Sequence, residues 1–199
     1  MLKLFEPYML AFIPIFVAVD AIGNIPVFVS IVEGVNKKQK RRIILESVIT
    51  ATALAVLFMF VGKWVLGAIG VTIPDFQIAG GILLFVIAVR LLLPGSHKAL
   101  LSNGRDKDAG VFPLGTPLIT GPAVLTTALM IRDSFGIAPA FVSLVLNMLI
   151  TWLTLMQADF IIKFMGSSGT RAFSKIMYIL LAAIAVMMVR RGMLGVMLR

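Results

Sequence analysis

Cysteine is absent from the 199 residues, which excludes disulfides, thiolate catalysis and iron–sulfur ligation. Histidine occurs once, as His97. The nearest acids, Asp106 and Asp108, leave too thin a donor set for zinc or haem, so neither a metal nor a cofactor is expected. Charge is scarce too, at 14% against roughly 25% in an average globular protein. Apolar residues take the space, at 60% of the chain, more than a soluble fold of this size can hide. A soluble enzyme and a disordered chain are thereby excluded. Catalytic signatures are missing as well: no G-x-S-x-G, H-E-x-x-H, P-loop or dinucleotide fingerprint, so the chain is not expected to be an enzyme. What remains is an integral membrane protein.

Six apolar runs are long enough to cross about 30 Å of hydrocarbon, at 8–32, 43–69, 76–93, 111–131, 138–164 and 173–189. They lack the alternation of barrel strands, so the expected fold is all-α. The first run continues past the cleavage-like Val19-Asp20-Ala21, and only Lys3 and the terminal amine precede it, so it reads as a retained helix rather than a signal peptide. The net charge of +9 serves orientation rather than nucleic-acid binding. Lys3, Lys63, Arg132, Arg190, Arg191 and Arg199 fall on one side of the six spans. The other twelve of the eighteen basic residues, including the cluster at 37–42, fall on the opposite side. The positive-inside bias puts that second side in the cytoplasm, against anionic headgroups, and both termini on the outer side of the membrane.

The chain also repeats itself. Gly23-Asn24-Ile25-Pro26 lies over Ile119-Thr120-Gly121-Pro122 at an offset of 96. At an offset of 97, FQIAGGILLFVIAV from Phe76 lies over FSKIMYILLAAIAV from Phe173, with Leu84/Leu181 and Ile87/Ile184 among the identities. The expectation is a single transmembrane domain over 1–199, with repeat one at about 1–93, repeat two at about 111–199 and a cytoplasmic linker at about 94–110. Three spans per repeat force the second into the membrane upside down, the inverted-repeat plan of secondary transporters.

Spans one and four carry the chemistry. Asp20-Ala21-Ile22-Gly23-Asn24-Ile25-Pro26 and Pro113-Leu114-Gly115-Thr116-Pro117-Leu118-Ile119-Thr120-Gly121-Pro122 each combine Gly with Pro. An interior proline lacks its N–H and clashes with the carbonyl one turn back, freeing backbone groups that lipid cannot satisfy. The clusters are therefore read as helix breaks, and Pro14 alone as a kink. Helix restarts near 24–26 and 121–122 would aim positive N-termini at the bilayer interior, where they suit a carboxylate, while the preceding carbonyls or Asp20 suit an ammonium. The expected partner is thus a small zwitterion. Asp20, the one acid well inside an apolar run, is also the candidate for carrying a coupling proton, because a charge in hydrocarbon is costly. Ser143, Asn147, Thr151 and Thr154 form a polar stripe on span five, read first as glue between helices and alternatively as a path lining near Asn147. Ala79-Gly80-Gly81 reads as close packing, and Glu46 and Asp159 as interfacial.

DAIGNIPVF at 20–28, FQIAGGILLFVIAVRLL at 76–92 and FPLGTPLITGPAVLTT at 112–127 resemble the signature stretches of the MarC family, in order and spacing over essentially the whole chain. The resemblance implies a six-helix inner-membrane protein. Characterised relatives of the SnatA type move small neutral amino acids such as glycine and alanine, some with protons and some as exporters. On that likeness Asp20, Gly23, Asn24, Thr120 and Gly121 become substrate-binding residues, to which Thr116 in the second break and Asn147 on the stripe are added. The rival expectation is a scaffold or lipid-handling protein whose breaks are packing devices. Self-association is left open.

The charge asymmetry makes one prediction. Alkaline phosphatase fused after Arg199 should be active and a green fluorescent protein there dark; the reverse pair of readings inverts the topology.

Overall fold

A computed structural model describes residues 2–32, 34–93 and 110–197. Among these the regular elements are all helical: α1 (Leu2–Val19), α2 (Asn24–Ile31), α3 (Lys37–Ile69), α4 (Ile73–Leu92), α5 (Gly110–Ile119), α6 (Pro122–Phe135), α7 (Ile137–Met156) and α8 (Ala158–Met197). Local chemistry sets several ends. Asn36 accepts the Gln39 N–H at 2.9 Å and opens α3, and Gly70, at φ 77°, closes it. Thr72 and Asp75 cap each other's backbone at the start of α4, with Pro74 in the first turn. Pro14 lies inside α1, which runs on to Val19, as a kink reading requires. α5 is the irregular element: Phe112 and Thr116 have extended backbone within it, each before a cis proline.

Four helices can span a membrane alone: α3, α4, α7 and the 172–197 part of α8. The other two spans are bent pairs, α1–α2 by 42° and α5–α6 by 54°. Cross-contacts show that each pair runs the full depth of the bundle. At one end, Lys40 of α3 meets Asp159 of α8 at 2.9 Å, and Gly110 of α5 rests on Glu46. At the other end, Lys63 of α3 pairs with Asp133 of α6, Ser143 of α7 reaches the Tyr8 carbonyl of α1, and Gly192 of α8 packs on Pro74 of α4. α1 and α5 thus start at opposite ends, and their continuations α2 and α6 finish at the ends facing them. All-α architecture with breaks in spans one and four is what the apolar runs and proline clusters anticipate.

The boundary of span five differs from expectation. The apolar run suggests a helix to Phe164, whereas α7 stops at Met156 and α8 begins at Ala158. Gln157 makes the turn: its N–H bonds to the Leu153 and Thr154 carbonyls, and its own carbonyl accepts the N–H groups of Phe160 and Ile161. The turn contains neither Gly nor Pro, so only the polar pair Gln157 and Asp159 marks it in the sequence. Asp159 then sits in the first turn of α8, where the helix dipole favours a carboxylate. The linker expected at 94–110, with His97, lies outside the described residues except for Gly110.

Packing between spans uses small residues and buried polar groups, as expected where lipid tails are as apolar as leucine. α4 lies along α8, with Gly81 against the Ala185 carbonyl; a Cβ there would stand 2.8 Å from that oxygen. α1 lies on α7, α5 on α3, and α4 also touches α6. On α7, Ser143 donates to the Tyr8 carbonyl at 3.3 Å, Asn147 Nδ2 to the Phe12 carbonyl at 3.3 Å and to Ser143 O at 2.8 Å, and Thr151 to Asn147 O at 2.9 Å. Ser143 and Asn147 thus tie α7 to α1, while the Thr151 hydroxyl bonds within its own helix. Large apolar side chains such as Ile13, Phe60 and Trp64 point outward, where lipid would receive them.

A Cβ on Gly80 would lie 1.8 Å from Pro122 Cγ, whereas one on Gly67 would meet nothing within 4 Å. Gly80→Ala is expected to cost about 1–3 kcal/mol by overpacking, and Gly67→Ala to be neutral or mildly stabilising. Thermal unfolding of the two variants in detergent measures both.

Candidate functional site

The first break begins where α1 ends at Val19. Asp20 takes φ 47°, in the left-handed region that Asp and Asn tolerate better than most residues. That conformation folds its carboxylate forward, and Oδ1 accepts the Gly23 N–H at 3.1 Å. The Asn24 N–H bonds back to Asp20 O at 3.1 Å, and Asn24 Nδ2 donates to Val19 O at 2.9 Å. Two side chains thus stand in for the helical bonds that are missing between 19 and 24. A Cβ on Gly23 would fall 2.1 Å from Asp20 Oδ2, so a larger residue there would displace the carboxylate from this turn.

The second break is built differently. The Thr120 N–H reaches Gly115 O at 3.0 Å, and the Thr116 hydroxyl donates to Thr120 O at 3.3 Å. The Thr120 hydroxyl leaves the turn altogether and donates to Ala51 O of α3 at 2.9 Å. Gly121 is extended, at φ −97° and ψ 180°, and Pro122 opens α6. The residues after Pro122 carry the unbonded first N–H groups of a 14-residue helix, with its positive dipole end.

The two breaks face one cavity of about 30 Å³. Asp20 and Asn24 line it from the first break, and Pro117, Gly121, Pro122 and Ala123 from the second. Leu84 of α4 and Leu181, Ile184 and Met188 of α8 close its sides. The wall is apolar apart from the half-buried carboxylate of Asp20, the amide of Asn24 and the polar backbone at the breaks. Asp20, Asn24 and Gly121, three of the residues singled out by sequence, are therefore brought together. Gly23 backs the Asp20 carboxylate. Thr116 and Thr120 brace the second turn rather than line the cavity, and Asn147 is spent on the α1 backbone, its Oδ1 buried without a hydrogen-bond partner among the described residues.

Sequence reasoning about the site missed the apolar walls and the braces. Leu84 and Leu181 occupy matched positions of the repeat, a signal that was available and went unused for the site. The braces hold the restarted helices. Ser30 donates to Pro26 O at 3.0 Å and Thr126 to Pro122 O at 2.8 Å, four residues after each proline. Tyr178 of α8 reaches Ser30 at 2.6 Å and Pro26 O at 3.3 Å, while Gly80 of α4 packs on Pro122.

The sequence profile described as MarC family integral membrane protein matches residues 5–197. The chain belongs to the MarC family. It is 37% identical to a UPF0056 membrane protein of Methanocaldococcus jannaschii, over 94% of this chain and 87% of the relative. With a UPF0056 membrane protein of Archaeoglobus fulgidus it shares 32%, over 92% and 90% of the two chains. With the UPF0056 inner membrane protein YhgN of Escherichia coli it shares 25%, over 87% and 89%. No solved structure matches this MarC-family chain.

The turn chemistry of Asp20 separates structure from charge. Asn keeps an oxygen for the Gly23 N–H and tolerates the left-handed backbone, so Asp20→Asn should unfold at the parent temperature. Asp20→Ala loses both and should be destabilised by about 1–2 kcal/mol. Parallel thermal melts decide between the two.

Proposed function

We propose that this MarC-family protein is a secondary transporter or exporter of small neutral amino acids, working by alternating access, with Asp20 as the site of proton coupling. The observation that carries the reading is the meeting of two helix breaks at one cavity. There a helix N-terminus stands on one wall and a carboxylate on another. The α-carboxylate of a zwitterion suits the first N–H groups of α6, and its ammonium suits Asp20. Pro117, Ala123 and Leu181 crowd the cavity, which favours the smallest side chains, those of glycine and alanine. A cavity of about 30 Å³ holds about one water, so binding requires the walls to part.

The two parts of the sequence are proposed to be inverted repeats. Recurring detail supports this: Ser30 on Pro26 and Thr126 on Pro122, α1 on α7 and α5 on α3, and Tyr178 on Pro26 with Gly80 on Pro122. The net charge and the basic cluster at 37–42 favour the end bearing Lys40 and Asp159 as the cytoplasmic one, with both termini outside.

Flux of labelled glycine and alanine into proteoliposomes, with and without a pH gradient, tests the reading. Wild-type protein should show uptake driven by the gradient. Asp20→Asn should lower it by about tenfold or more, the effect of losing a charged hydrogen bond of ~1.5 kcal/mol or above. No flux in wild type, together with no thermal stabilisation by small zwitterions, would leave a scaffold or lipid-handling protein.

A further inference from the structure

α2 is the shared wall of two cavities. Asn24, at its start, lines the central one. Phe28 lies four residues on, along the same helical face and about 6 Å further along the axis. Beyond Phe28 opens a second cavity of about 220 Å³, where α2 ends, α3 begins and α7 gives way to α8. Its floor is Phe28, Ile44 and Leu155, which are 2%, 3% and 1% exposed. Such a floor belongs to the interior of the bundle and not to its lipid-facing side. The cavity is therefore a vestibule at the end of α2, with Phe28 on its inner wall one helical turn from Asn24 of the central site. At about 30 Å³ per water it has room for roughly seven waters, enough for a solute of glycine or alanine size.

The rim of the vestibule is charged. Lys37, Lys40 and Arg41 come from the first turns of α3, and Asp159 from the start of α8. Lys40 is paired with Asp159 at 2.9 Å; among the described residues no carboxylate pairs with Lys37 or Arg41. An Arg fork beside a Lys ammonium is a receiver for a carboxylate. Asp159, with 62% of its side chain exposed, can accept an ammonium. Both halves of a zwitterion thus find their counterparts on one rim.

We infer that this vestibule is a second binding site, which captures the carboxylate of a small amino acid on Lys37 and Arg41 before Phe28 admits it to the central cavity. The inference rests on the transport reading for its ligand class. It differs in its residues, none of which touch the central site.

A chain without cysteine allows a direct test. Met156, an exposed wall residue of the vestibule, can be replaced by Met156→Cys to give the protein a single thiol. The readout is the rate at which a negatively charged methanethiosulfonate modifies that thiol in purified, monodisperse protein. Glycine or alanine at about ten times its Kd should slow modification by about tenfold. Protection should persist when Asp20→Asn is added and disappear with Lys37→Gln and Arg41→Gln combined. The inference is overturned if protection vanishes in Asp20→Asn, if it survives loss of both cations, or if phosphatidylglycerol vesicles protect and amino acids do not. Wild-type flux is read alongside. Flux without protection removes the vestibule site and leaves transport standing, whereas cation-dependent protection without flux upholds the site and removes transport.

Discussion

A peptide group in hydrocarbon has no water to fall back on, and leaving one unpaired costs several kcal/mol. The two helix breaks answer to that constraint. Two of the six crossings are interrupted, and at each interruption some of the missing helical bonds are replaced from within the protein, while the first N–H groups of α6 stay unbonded. The first break is closed by its own side chains, Asp20 and Asn24, acting on Gly23 and Val19. The second is closed partly by its own turn and partly by its neighbour, since Thr120 is anchored on the Ala51 carbonyl of α3. The same replacement that makes the breaks tolerable concentrates polar groups at mid-bundle, where an otherwise oily wall surrounds them.

Much of this was legible from residue order. Apolar runs located the crossings, and paired Gly and Pro located the breaks to within a residue or two, because proline removes a donor wherever it falls. Asp20 followed from the cost of a charge in lipid, and Asn24 and Gly121 from the helix breaks and the family likeness. The turn at Gln157 was hidden because it satisfies its own backbone without any breaker residue. Thr120 was placed in the site by the family likeness, Thr116 by its position in the second break and Asn147 by its place on the polar stripe. Hydroxyls and amides in a bundle serve a neighbouring carbonyl as readily as a solute, and only tertiary contact decides which. The aromatic brace from Tyr178 to Pro26 and Ser30 was invisible for the same reason: it joins residues 148 and 152 positions apart.

The charged groups divide by depth. Lys40 with Asp159 and Lys63 with Asp133 tie helices together at opposite ends, where headgroups and water screen them and each pair contributes little stability by itself. Their value is positional: they hold α3 against α8 at one face and against α6 at the other. Among the described charged residues, Asp20 alone stands near the middle, already committed to a turn. Any chemistry asked of it is coupled to the shape of the backbone beside it.

The exchange of partners between the first and second parts of the chain has a consequence for biogenesis. α1 is covered by α7, whose Ser143 and Asn147 serve its Tyr8 and Phe12 carbonyls, while α5 lies on α3. Whatever is synthesised first therefore waits, inserted but incompletely clothed, for partners that lie 135 residues on for α1 and 69 residues on for α3. The nascent chain must keep α1 and α3 loosely held until their counterparts emerge, and neither portion made alone could complete its own interior.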